Sequence, residues 1–227
     1  MSLKPFLAAA TLLAATLPAA EAAGLPVRAR IVYQASLSGL PVGEAVQQWV
    51  LDKQHYRLET EVTPIFGPKI RYLSNGEVTD GGLKPADYAE FRGKGDSPRQ
   101  QARFDWGSHQ VSYGAPESPQ SGKLEAGAQD YNTLPFQLAW LGKKPNASLQ
   151  IVTGRKLRQD KLVQAEAGSI SLMGKNTPTR IWRTQDVEEG SEIWLAPEYG
   201  GLPVKIVRHD DKGEQLLVAK SIEYQQE

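Results

Sequence analysis

From His55 to Val62 the chain alternates in character at every step. Tyr56, Leu58, Thr60 and Val62 are apolar or β-branched, and His55, Arg57, Glu59 and Glu61 between them are polar or charged. A period of two sends one set to a buried face and the other to water, which is the geometry of a half-buried strand. The pattern resumes over residues 70–79, with Ile70, Tyr72, Gly76 and Val78 on alternate positions. Short runs of β-formers recur at 29–36, 44–52, 88–92, 101–106 and 109–113. They return at 149–153, 161–167, 169–172, 179–183, 192–196, 202–208 and 215–224. Asp52-Lys53-Gln54, Asp80-Gly81-Gly82, Gly107-Ser108 and Asp210-Asp211-Lys212-Gly213 read as the turns between them. About eleven to fourteen strands at this spacing predict an all-β, mainly antiparallel fold: a strongly curved sheet or barrel. The stretch 114–123, with two prolines, two serines and two glycines, reads as an exposed loop and the one plausible linker.

One segment breaks the β pattern. Within Asp130 to Leu141, Tyr131, Leu134, Leu138 and Leu141 fall on one helical face, with Phe136 and Trp140 beside it. Asp130 or Thr133 can cap the start. Thr133 is preferred, because Pro135 then falls in the first turn, where no donor is needed. Gly142 suits the C-terminal end. The prediction is a short helix, 133–141, packed on the concave side of the sheet, with 129–132 as a structured lead-in. Its aromatic residues require either core or ligand as a partner.

The first 22 residues differ in kind. Lys4 precedes an uncharged, mostly apolar run from Phe6 to Leu17, followed by Ala20-Glu21-Ala22. This is the layout of a cleavable secretory signal peptide. The run is too short to span a bilayer, which takes roughly 20 residues. The expectation is export to the periplasm and a single β-rich domain over 23–227, with no integral membrane segment after cleavage. The chain contains no cysteine, so disulfides and thiolate metal sites are excluded and core burial must hold the fold. Charge is balanced, 26 basic against 26 acidic residues, which removes the electrostatic case for a nucleic-acid partner.

Catalytic signatures are missing. The sequence has no nucleophile elbow, phosphate-binding glycine loop or dinucleotide fingerprint. His55, His109 and His209 share no metal-ligand spacing, so neither a metal nor a cofactor is expected. Asp105, Asp130, Glu192 and Glu198 are the carboxylates that could serve a carbohydrate-active site, with Trp106, Trp194 and Tyr199 to stack on sugars. Arg92, Lys94, Arg99 and Arg103 cluster around one loop, as a solvated hairpin tip or a contact for phosphate-bearing lipid or polymer. Gly-Leu-Pro-Val occurs at Gly24, Gly39 and Gly201, each time where a turn feeds a strand.

Several segments taken together resemble an exported bacterial β-domain family, the domain of unknown function 3108. They are Tyr33 to Ser36 with Gly39 to Glu44, Tyr56 to Glu59, Gly82 to Pro85, Arg103 to Trp106, Ala126 to Asp130, and Trp194 to Pro197 with Leu202 to Val204. The resemblance spans about Ile31 to Ile222. In that family the helix after Gln-Asp usually runs uninterrupted, and Pro135 departs from this. The resemblance implies a periplasmic all-β domain with one helix and supplies no activity or catalytic residues. Its shape is similar to the curved sheets of lipoprotein and lipid carriers.

The leading expectation is a non-enzymatic binder or carrier of a lipid or other apolar ligand in envelope maintenance. Phe136, Leu138, Trp140, Trp106 and Trp194 are its candidate lining residues. A fully packed interior would sink it. The alternatives are a scaffold for an envelope protein partner, with exposed aromatics on one outer patch, and a carbohydrate-active binder or enzyme, with two close carboxyls and a flanking Trp.

Overall fold

The computed structural model describes residues 24–185, 190–210 and 213–226. The expected signal peptide at 1–22 lies outside these, as do Asp211 and Lys212 of the last predicted turn. The first half is a meander: β1 (Arg28–Leu37), β2 (Leu40–Asp52), β3 (His55–Pro64), β4 (Ile70–Thr79), β5 (Gly82–Arg92), β6 (Gln100–Asp105), β7 (Gln110–Gly114) and β8 (Gln120–Lys123). A two-residue β9 (Gln129–Asp130) leads into helix α1 (Leu134–Leu141). Then follow β10 (Asn146–Val152), β11 (Leu157–Gln164), β12 (Gly168–Leu172), β13 (Lys175–Thr184), β14 (Ser191–Ala196), a 3₁₀ turn at Pro197–Tyr199, β15 (Leu202–Asp210) and β16 (Gly213–Gln225).

All sixteen strands form one sheet. Its order runs from β8 down to β1, then β16, β15, β14, β13, β11, β10 and β9, with β12 attached to β13. The first and last long strands thus lie side by side. Every pairing is antiparallel except β9 on β10. Irregularities in β1, β2, β4 and β14 pairings, such as that between Asn75 and Gly76, bend the strands. The alternation at 55–62 is real register: Leu58 is buried opposite Trp49 and Ser74, while Arg57 and Glu59 pair outside at 2.8 Å.

The strand count exceeds the expectation chiefly because 114–123 is neither loop throughout nor linker. Its last four residues form β8 beside β7. Leu157 packs closely over Gly122, where a Cβ would lie 2.3 Å from Leu157 Cδ1.

No backbone ladder joins β8 to the other end of the sheet. Side-chain amides do the joining. Gln150 on β10 donates to the Lys123 carbonyl (3.0 Å) and accepts from Glu125 N–H (3.1 Å). The first half of β5 extends beyond its pairing with β6, which covers only Asp87 to Glu90. There Leu83 C=O accepts from Gln129 Nε2 and Leu83 N–H donates to Gln137 Oε1, both at 2.7 Å. Buried main-chain groups must find partners, and here three glutamines supply them.

The helix starts where Pro135 requires, with Thr133 at the N-cap position and the proline in the first turn. The hydroxyl of Thr133 does not cap it. Asp130 instead accepts the N–H groups of Asn132 and Thr133, each at 2.9 Å, so both candidate residues build the entry. Residues Leu134 to Ala139 are all buried, on every side of the helix. A helix apolar all round belongs in an interior. It sits inside the curve of the sheet against β5, β14 and β15. Phe136 stacks on Trp49 (4.8 Å), which stacks on Tyr56 (5.3 Å).

Gln137 was not singled out by its sequence context. Its amide also donates to Gly81 O (3.2 Å), pinning the β4–β5 turn at Gly82, whose φ is +102°. Gln137→Leu leaves two main-chain groups unpaired. Urea denaturation is expected to show a loss of about 2–3 kcal/mol. A loss below about 1 kcal/mol would mean that these groups find other partners.

Candidate functional site

The helix fills one end of the sheet's interior and leaves the other hollow. A cavity of about 290 Å³ opens there, walled by the ends of β1, β2, β3, β4, β15 and β16 and floored by Tyr131, Asn132 and Pro135. Leu37, Val42, Val62, Ile70, Ile206 and Leu216 make its walls apolar. The turns around its mouth carry the most exposed large apolar residues described: Phe66 (92%), Leu40 (71%) and Ile65 (61%). They adjoin the wall directly. Leu40 pairs with Leu37, and Ile65 N–H bonds to Val42 O at 2.8 Å. Pockets of this kind, mostly apolar with a few placed polar groups, are the usual form of a small-ligand site.

Polar groups gather on the floor. Gln47 Nε2 donates to Thr60 Oγ1 (3.0 Å), and Thr60 donates to Asn132 Oδ1 (2.7 Å). Asn132 Nδ2 reaches Leu58 O and Ser74 Oγ, both at 3.3 Å, and Ser74 donates to Asp130 Oδ1 at 2.9 Å. This chain runs from the cavity to a fully buried carboxyl. Burial pushes Asp130 from 3.8 up to about 6, against the pull of Ser74, Thr133 and Asn132. Its Oδ2 meets no hydrogen-bond partner among the described residues.

Three aromatic hydroxyls and one cation complete the lining. Tyr72 and Tyr88 lie with ring centroids 6.5 Å apart. Burial raises both phenols, Tyr88 strongly, so each remains a neutral donor at physiological pH. The Arg208 guanidinium lies 3.5 Å from the Tyr131 ring centroid and donates to Tyr131 O at 3.2 Å.

The five expected lining residues are placed elsewhere. Phe136 and Leu138 are wholly buried in the core below the cavity. Trp140, one turn on from Phe136, is 37% exposed where the helix ends. Trp106 lines a separate outer hollow with His55, Glu77 and Lys84, its indole bonded to Pro85 O at 2.7 Å. Trp194 bonds to Glu192 and lies under Lys205. None of the five borders the cavity described above.

The four candidate carboxylates are each held by local partners. Asp105 accepts from Gly107 and Ser108 N–H at 3.0 Å, which lowers its pKa. Glu192 engages Arg183 and Trp194, Glu198 engages Lys175, and Asp130 is buried. The basic loop is partly neutralised, since Arg99 lies 3.9 Å from Glu90. Among the described residues no group of three or more His, Asp or Glu is placed to hold a metal. No helix among them is long and apolar enough to cross a membrane.

A sheet curved around its own helix, with an apolar hollow at one end, defines a β-barrel-like domain with an internal pocket. The chain belongs to the family described as protein of unknown function DUF3108, whose model matches residues 32–220. The resemblance read from its scattered segments was therefore correct. It is also similar to the crystal structure of a beta-barrel-like protein of domain of unknown function DUF1849 from Brucella abortus. The TM-score is 0.61 at 9% identity, covering 88% of this chain and 99% of that one. At that identity the likeness is one of fold. No curated protein matches.

Proposed function

We propose that this protein is a non-enzymatic binder or carrier of a lipid or other apolar ligand, exported to the periplasm and acting in envelope maintenance. The observation that carries the reading is the apolar cavity of about 290 Å³ above the helix. A solid interior would have argued for a scaffold. The exposed Leu40, Ile65 and Phe66 at the mouth suit the entry of an apolar ligand. Export rests on the first 22 residues of the sequence, and the absence of an enzymatic role on the dispersed, locally bonded carboxylates.

The test is binding of N-phenyl-1-naphthylamine, a neutral apolar probe that fluoresces on leaving water. Saturable binding at one site per chain is expected. Val62→Trp places an indole in the cavity and should weaken binding at least tenfold while the melting temperature stays close to wild type. Absence of saturable binding, or an unchanged affinity in a folded Val62→Trp protein, overturns the reading.

A further inference from the structure

We propose that the cavity takes an amphiphile with an anionic head, an acyl carboxylate or its like, and that Arg208 holds the head. This rests on the cavity reading above and goes beyond it by naming the ligand class. The argument begins from the cost of a cation in an apolar wall. A guanidinium cannot shed its charge, and withdrawing it from water without a counter-ion is costly. Arg208 is half-buried and lines the cavity. Among the described residues no carboxylate lies within 4 Å of its guanidinium.

The other half-buried arginines vary: Arg71 lies over the Phe91 ring at 4.4 Å, and Arg158 is paired with a carboxylate. Arg158, 6.0 Å from the Tyr131 ring centroid, has Asp160 at 2.7 Å. Arg155 lies 3.6 Å from Glu90, as Arg99 does at 3.9 Å. Glu90 acts on both tyrosines and Asp130 on Tyr88 as well, but two arginines already attend Glu90 and Asp130 is buried in its own hydrogen bonds. Arg208 spends one donor on Tyr131 O, with its guanidinium carbon 3.5 Å from the ring centroid. Its remaining donors are free for a planar, two-oxygen acceptor, which is the pairing a guanidinium makes best.

The neighbours fit the same ligand. The hydroxyls of Tyr72 and Tyr88 have no hydrogen-bond partner among the described residues, and both feel the charge of Arg208. They are neutral donors beside a cation, a set that accepts an anion without competing for it. Most of the remaining wall is apolar, with Ser36, Gln215 and the polar floor as the exceptions. At roughly the 30 Å³ share of liquid volume of one water, which a methylene also takes, the hollow holds about ten carbons.

The experiment is displacement of N-phenyl-1-naphthylamine by decanoate and by decanol at neutral pH, which differ in head and share a tail. Wild type is expected to bind decanoate about tenfold more tightly than decanol, the value of one charge-assisted pairing. Arg208→Gln should bring decanoate to the decanol level and leave decanol unchanged. Arg208→Lys, which keeps the charge, should retain part of the preference and guards against a folding defect in the first variant. Equal affinities in wild type, or equal weakening of both ligands by Arg208→Gln, overturn this inference alone. Failure of the probe to bind wild type overturns the cavity reading and this inference with it.

Discussion

Phe136→Ala is expected to destabilise the protein by about 3–5 kcal/mol, the range for emptying a buried aromatic site. The ring is fully buried and is the middle of the contact between helix and sheet, stacked on Trp49 at 4.8 Å. Trp49 is itself fixed, its indole donating to Pro26 O at 2.7 Å, so it cannot swing in to fill the void. Leu58, Leu134 and Leu138 of the same core cluster are likewise buried. Urea denaturation should show a lower midpoint with an unchanged slope. Trp140→Ala is the contrast. That indole is one turn further on and 37% exposed, so its loss should cost about 1 kcal/mol or less. A small effect at Phe136, or equal effects at both, would show that the helix is not the core.

The second large effect concerns pH. Asp130 is raised by burial from 3.8 to about 6, so the folded protein holds this proton more tightly than the unfolded chain. Its contribution to stability is complete below pH 3.8 and is lost as pH rises through about 6. The full swing is about 3 kcal/mol. Asp130→Asn can still accept from Ser74, Asn132 and Thr133 through one oxygen and carries no proton to lose. The stability of wild type minus that of Asp130→Asn should therefore fall by about 2 kcal/mol between pH 4 and pH 8, measured in urea. A difference that stays flat across that window would show that the carboxyl is ionised in the folded state at no cost. The carboxyl ends the polar chain that starts at Gln47 and Thr60 in the cavity floor, so this titration lies beneath the ligand site.

Much of the fold was legible because it is local. Alternation at 55–62 is β3, in the register it implied, since a one-residue slip would put Leu58 and Tyr56 in water. Pro135 placed the helix start, because a ring without an N–H is tolerated in the first turn and almost nowhere later. The Gly-Leu-Pro-Val copies sit where β2 and β15 begin and just ahead of β1. Residues 120–123 were illegible as a strand. Gln-Ser-Gly-Lys has no apolar alternation; it pairs with β7, and the Leu157 and Tyr113 side chains lie over its glycine.

The site was less legible than the fold. Phe136 and Trp140 are four residues apart on one helical face and have the same character in sequence, yet one is core and the other touches solvent. The difference is where the helix leaves the sheet, which no local pattern encodes. Arg208 was read as the end of a strand, with nothing to mark it. What makes it notable is the acid that is not near it, and a missing neighbour is a property of six strands at once.

The sequence by itself determined most of the strands and turns, the helix at 134–141 and its proline-bound start, because each follows from the residue period and from backbone chemistry within a few positions. Only the tertiary structure decided how far the helix fills the curve of the sheet. Packing volumes across distant strands set that limit, and they leave Arg208, Tyr72 and Tyr88 around a hollow.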